Sequence, residues 1–352
     1  MSLPKKSSLV IYTISIIIII LMLIFITPEK LIQNLFLLGV WGLAILVILY
    51  IFDLFIRTYR WKLLLIAQGV DIPVKSLFLP VCSALAVNLF TIARAGEAIR
   101  IFSLKRNHDT KYSDTLSSIV IEQVLSIIGL LIVTTTSLFL IGNSLQGTEG
   151  SQIIEQLILI LFLSSVGGLL GIITILIKPN VVIKILNKSP KLIRSKLTSA
   201  YEAFVRGITD LRSKPSLLFQ GIVTSSLIWL IEGLMLFIIT LSVFPTFNII
   251  DLPWVITASC AGNITFIIPI LPGALGQYEA IIVFVLFNSP HYPGTDATVI
   301  AFIDRIAKTF MLGILGGYAT LKLGGKEILR SGEDYTDIEI NNGLNKSEER
   351  IS

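Results

Sequence analysis

The chain has 352 residues, 54% of them hydrophobic and only 14% charged, with a formal net charge of +5. Soluble domains carry about 25% charged residues, so this composition excludes one and defines an integral membrane protein. Two cysteines in apolar segments and two widely separated histidines argue against a disulfide, a metal site or a metal-dependent membrane protease, and the basic excess reads as topology rather than nucleic-acid binding.

A helix needs roughly 20 apolar residues to cross a bilayer core of about 30 Å. The first candidate, 9–26, follows Lys5 and Lys6 and carries no small-residue cleavage site, so it reads as a retained helix. The second is 36–55, with Asp53 near its end. The stretch IRTYRWKLLLIAQG (56–69) sets Arg57, Arg60 and Trp61 beside an apolar face, which predicts an interfacial helix on an anionic leaflet. Region 76–104 is apolar but interrupted. Then 115–141 crosses, with Glu122 inside it. Helix 153–177 is followed by a basic, proline-punctuated loop, 178–215, that predicts a surface helix. Helix 216–244 holds Glu232 at its middle. Region 253–287 is broken by PILPGALGQYEA (269–280), and its second leg, Gly276 to Phe287, has 12 residues, roughly 18 Å. That leg is too short to cross. The last crossing, 298–321, carries Asp304, Arg305 and Lys308, and the polar tail 331–352 predicts disorder.

Basic residues set the sidedness. If both interrupted regions return to the side they left, 25 of the 28 Lys and Arg fall on one side, leaving Lys30 opposite and Arg305 and Lys308 inside a helix. The expected fold is therefore an all-α integral membrane protein with six transmembrane helices, two re-entrant helix pairs and cytoplasmic termini in the plasma membrane. Residues 1–330 form one membrane domain of two inverted halves, about 1–142 and 153–330. Inverted repeats with broken helices in matching positions belong to secondary transporters. The matching stretches are NLFTIARAGEAIR from Asn88 and NITFIIPILPGALGQYEA from Asn263.

Irregular backbone at membrane depth survives only inside protein or beside a water-filled cavity. Asn88, Gly96, Asn263, Pro272, Gly273 and Gly276 are thus expected to shape the breaks. The half-helices after them present free N–H groups and a partial positive charge, suited to an anion. Glu97 and Glu279 stand in their first turns, where they either offset the macrodipole or hold a proton or cationic headgroup. Charges inside crossing helices cost about 2.5–3.5 kcal/mol each at the bilayer centre, so Glu122, Arg305 and Lys308 are expected in a functional cavity. Asp304 and Lys308, four residues apart, can pair and leave Arg305 without a local partner. The expected substrate-binding set is Arg94, Glu97, Glu122, Glu279, Arg305 and Lys308, with the arginines on a phosphate. No metal or cofactor is expected. The helix carboxylates are scattered singly along the chain, which disfavours a headgroup-transferring enzyme; a scaffold for a cytosolic transferase is the other alternative.

These residues together resemble the lysylphosphatidylglycerol synthase transmembrane-region family, also called the flippase-like domain family. The resemblance rests on Arg57, Arg60, Trp61, Gly69 and Pro73; on Asn88, Arg94, Gly96, Glu97 and Arg100; on Ser118 and Glu122; and on Pro272, Gly273, Gly276, Glu279 and Arg305. It covers about 36–320. The chain departs from the pattern at Ile92-Ala93, where a proline commonly stands, at Ala274 in place of a second glycine, and at Gln123 in place of an arginine. The resemblance implies a domain that moves lipids or lipid-linked headgroups between leaflets, with membrane lipids as partners. About 30 residues follow the last helix, so an aminoacyl-transferring domain is not expected. Headgroup, direction, coupling ion and oligomeric state stay open.

Overall fold

The computed structural model describes residues 28–91, 94, 96–144, 163, 166–167, 205, 207–244, 251–266, 272–289 and 294–324. Among these residues are eight α-helices, in chain order α1 (Pro28–Ala67), α2 (Val74–Phe90), α3 (Glu97–His108), α4 (Tyr112–Ser144), α5 (Pro215–Val243), α6 (Leu252–Ile264), α7 (Gln277–Phe287) and α8 (Gly294–Lys322). Among the described residues three stretches are long and apolar enough to cross a membrane: Phe36–Ala67, Tyr112–Gly142 and Pro215–Val243. The expected helices 9–26 and 153–177, most of loop 178–215 and the tail 331–352 lie outside the described residues.

Proline and glycine place the helix ends. Pro215 stands in the first turn of α5, where its missing N–H costs nothing. Gly69, at φ 80°, closes α1: its N–H donates to Ile66 O and that of Val70 to Leu65 O, an αL cap that satisfies two orphan carbonyls. Lys214 adds its ammonium to Ile66 O and Ala67 O at 3.1 Å each. Both interrupted regions are helical hairpins, as their punctuation predicted: α2 and α3 pack on each other, and so do α6 and α7.

One expectation is corrected here. Residues 56–69 do not form a separate surface helix; they continue α1 into the protein, with Trp61 fully buried and Arg60 only 2% exposed. The reason is local. No glycine or proline stands between Gly42 and Gly69, so nothing ends the helix sooner.

The four long helices α1, α4, α5 and α8 frame the two hairpins. Helix α1 runs antiparallel to α5, since Arg60 meets Ser225, Arg57 meets Glu232 and Ala67 meets Lys214. Helix α2 packs on α8, and α6 on both α4 and α5. Because lipid is as apolar as leucine, such contacts rely on close backbone approach. A Cβ on Gly129 of α4 would stand 2.7 Å from Ser225 of α5, so these helices touch where a side chain is missing.

Candidate functional site

The helix breaks meet at the centre. Helix α2 ends at Phe90, and Arg94 follows in a left-handed conformation (φ 56°) before α3 begins. On the other hairpin a single 3-10 turn, Pro272–Ala274, precedes α7. Gly273 (φ 58°) and Gly276 (φ 78°) supply the left-handed backbone this turn requires, and Ala274 adopts φ 52° although it carries a Cβ. The two tips face each other. A Cβ on Gly273 would come within 2.5 Å of Leu89 O, and Arg94 reaches Phe266 O at 3.5 Å.

Between the tips and the long helices lies a cavity of about 340 Å³. Arg94, Glu97, Glu122, Arg305 and Lys308 from the expected set line it, as do Asn88, Asn263 and Gly273. Glu279 stands behind Arg305, 3.3 Å from its Nε. Gly96 donates its N–H to Asn88 Oδ1 at 2.8 Å, fixing the first break. Pro272 and Gly276 bracket the turn of the second. The structure therefore brings five of the six expected residues to one space, with Glu279 held to it through Arg305.

It also adds residues that the sequence placed elsewhere. Arg57, Arg60 and Arg100, read as part of a cytoplasmic basic belt together with Arg94, line the cavity instead. They tolerate it because carboxylates meet them. Glu122 binds Arg60 at 2.9 Å through one oxygen and Arg100 through the other. Arg100 also reaches Glu97 at 2.9 Å and lies with Cζ 4.0 Å above the Trp61 ring, whose Nε1–H donates to Ser118 at 3.0 Å. Asp53, expected to count little near a helix end, is buried mid-helix and pairs with Arg57 at 2.6 Å. Glu232 bridges Arg57 (2.8 Å) and Lys308 (2.7 Å). Asp304 and Lys308 do pair, at 2.9 Å, and Tyr278 donates to Asp304 at 2.6 Å.

Two further readings are revised. Arg305 lacks a local partner but not a partner: it holds Glu279 and donates to the Gly273 carbonyl. The acids, scattered singly in sequence, converge in space. Asp53, Glu97, Glu122, Glu232 and Asp304 all border the cavity. Among the described residues no group of His, Cys, Asp and Glu is arranged to hold a metal ion. Cys82 and Cys260 are free and buried, and His108 ends α3.

Glu279 illustrates how one carboxylate does two jobs. Its Oε2 accepts the Gly276 N–H at 2.7 Å, capping α7 from the N3 position, while Oε1 faces Arg305. Arg94 differs from every other cavity cation. Its guanidinium donates to the Gln123 side-chain oxygen and to Phe266 O, and among the described residues no carboxylate lies within ion-pair distance of it.

A helical bundle with membrane-length apolar helices and a charged interior cavity is a polytopic membrane protein. Its sequence matches the pattern of the lysylphosphatidylglycerol synthase TM region over residues 11–316, and the chain belongs to that family. It is similar to a UPF0104 membrane protein of Methanocaldococcus jannaschii, 25% identical over 285 residues, covering 76% of this chain and 80% of that one. A second UPF0104 membrane protein, from Methanothermobacter thermautotrophicus, is 22% identical over 296 residues, with 77% and 82% covered. No solved structure matches.

Proposed function

We propose that the protein moves an anionic, phosphate-bearing lipid or polyprenyl-linked lipid between the leaflets of the cell membrane without changing it chemically. The observation that carries this reading is Arg94: a guanidinium beside an interior cavity, held by neutral groups, with no carboxylate among the described residues within ion-pair distance. A guanidinium takes a phosphate through two parallel hydrogen bonds, and it does so most readily where no carboxylate must first be displaced. Arg305 and Lys308 line the same space and reach the headgroup by exchange with Glu279 and Glu232. Membership of a family named for a lipid synthase's membrane region supports a lipid as the cargo.

The expected topology is six crossings, two re-entrant pairs and cytoplasmic termini, built as an inverted repeat. Helix packing supports it. Exchanging α1 with α5, α2 with α6, α3 with α7 and α4 with α8 turns the α2–α8 contact into α6–α4, α3–α4 into α7–α8, and α1–α2 into α5–α6, all of which occur. The antiparallel α1–α5 pair then lies on the exchange axis, and transporters of this architecture bind substrate where the two halves meet.

Purified protein in liposomes containing labelled phosphatidylglycerol or a labelled polyprenyl phosphate tests the reading. The expected outcome is translocation of unchanged lipid, at least tenfold slower in Arg94→Ala and partly restored in Arg94→Lys. Recovery of a modified headgroup would make the chain an enzyme. Absence of translocation with both lipids would leave the scaffold reading.

A further inference from the structure

The charges around the cavity balance as a whole but not in their parts. Six cations (Arg57, Arg60, Arg94, Arg100, Arg305 and Lys308) face six carboxylates once Glu279 is counted with the five that border the space. Glu97 and Glu122 match Arg60 and Arg100 locally, and Glu279 matches Arg305. The remainder is split. Among the described residues Arg94 has no carboxylate within ion-pair distance on one side, whereas three acids, Asp53, Glu232 and Asp304, share Arg57 and Lys308 on the other.

Within that acidic group two buried oxygens, Asp53 Oδ1 and Asp304 Oδ1, accept no hydrogen bond. Glu232 gives one oxygen to Arg57 and the other to Lys308. Asp304 Oδ1, though it accepts no hydrogen bond, lies 2.9 Å from the Lys308 ammonium, and Oδ2 accepts from Tyr278. Asp53 Oδ2 accepts from Arg57 Nε at 2.6 Å, but Asp53 Oδ1 has no hydrogen-bond partner, although the residue is 1% exposed and borders the cavity. A buried carboxylate oxygen left unpaired is costly in a low-dielectric interior.

We infer that Asp53 Oδ1 is a proton-binding site and that it takes up one proton when a phosphate-bearing anion enters the cavity. The empty cavity is neutral because Arg94 offsets the third acid at a distance. A bound phosphate monoanion cancels Arg94 and leaves one negative charge in excess, which a single proton on Asp53 removes. Protonation at Oδ1 also weakens the Arg57 Nε bond to Oδ2, which then accepts as a neutral carbonyl oxygen while Glu232 still holds the other side of the guanidinium. The groups facing Asp53 are Tyr50 and Arg57 on α1, Glu232 on α5 and Lys308 on α8; beyond them stand Cys82 of α2 beside Tyr50, Asp304 of α8 paired to Lys308, and Glu122 of α4 paired to Arg60. A sodium ion would need several oxygens beside two fixed cations; a proton needs one. The coupling role rests on the transport reading above. The proton site does not.

Two measurements separate them. Infrared difference spectra of the unliganded protein, titrated toward acid, are expected to show a buried carboxylic-acid band that is lost in Asp53→Asn and kept in Asp53→Glu. Indicator-dye measurements during binding of short-chain phosphatidylglycerol are expected to show one proton taken up per lipid in wild type and none in Asp53→Asn. Glu232→Gln provides the decisive control, since it removes one acid and leaves Asp53 in place. Charge balance then requires no proton, and uptake is expected to vanish. Uptake that persists in either variant, or that follows sodium rather than pH, overturns the proposal, as does an infrared band unchanged in Asp53→Asn. Failure of the lipid probe to bind, with the infrared band behaving as expected, overturns the transport reading alone.

Discussion

Trp61 and Gly96 decide opposite things with equal economy of space. Trp61 is fully buried, its indole N–H satisfied by Ser118 and its face covered by the Arg100 guanidinium, so an aromatic ring does for a membrane-depth cation what water does elsewhere. Gly96 sits where Asn88 Oδ1 must reach its N–H, and a Cβ there would collide with Ala84 O and stand 2.7 Å from Asn88 Oδ1. The obstacle includes backbone, which cannot step aside as a flexible side chain would. Gly96→Ala is therefore expected to cost about 1–3 kcal/mol and to lower the melting temperature in detergent. Gly313→Ala, on an exposed face of α8 with nothing within 4 Å of the new Cβ, is expected to leave it unchanged or raise it slightly. Equal melting temperatures for the two variants would mean that the tip of the first hairpin repacks freely.

At the level of elements, each half-helix is held by a long helix behind it. Helix α7 has only 11 residues, and its start depends on α8: Arg305 grips both the Gly273 carbonyl and Glu279, whose other oxygen caps Gly276. Removing one member of a buried pair strands the other charge, at about 3–5 kcal/mol. Arg305→Ala should thus destabilise the protein by about that amount, and the double variant Arg305→Ala/Glu279→Gln should recover more than half of it, because the neutral amide needs no counter-charge. Thermal melts of the two variants in one detergent read this directly. No recovery in the double variant would place the stabilising force in the Gly273 contact instead. Arg94→Ala, which strands no carboxylate, is expected to melt close to wild type.

Across the whole molecule, contacts bring the C-terminal ends of α1, α3 and α8 and the N-terminal ends of α2, α4 and α5 to one end of the bundle. Trp61, Leu77, Val81 and Leu104 share one cluster, Ala67, Ile121 and Leu211 another, and Ser83 bonds Thr320. Lys62, Lys75, Lys105, Arg106, Lys111, Arg212, Lys214 and Lys322 all belong to those termini. The positive-inside rule predicts that such a basic end faces the cytoplasm. A cysteine at Asn107, which is exposed near the end of α3, should then be labelled from the cytoplasmic face by a membrane-impermeant maleimide. The two native cysteines are buried and should not compete. Labelling from outside alone would overturn the orientation and the return of the first hairpin with it.

The all-helical membrane class, the positions of four long helices and both broken hairpins were legible in residue order, because hydrophobic run length and the φ demands of glycine and proline act over a few residues. The αL turn at Gly273 and Gly276 and the short α7 follow from PILPGALGQYEA alone. Arg94, Glu97, Glu122, Glu279 and Arg305 were legible as charges that a membrane helix or helix break does not carry without a reason. What residue order left open was the company each charge keeps. Glu232 meets Arg57 across 175 residues and Arg60 meets Glu122 across 62, so no local pattern records either pair. Arg57, Arg60 and Arg100 read as cytoplasmic because proximity in sequence was their only available measure of place. Packing of α1 against α5 and α4 carried the first two inward, and the carboxylates already there made that burial tolerable; tertiary structure alone chose the partners, and with them the unpaired oxygen of Asp53.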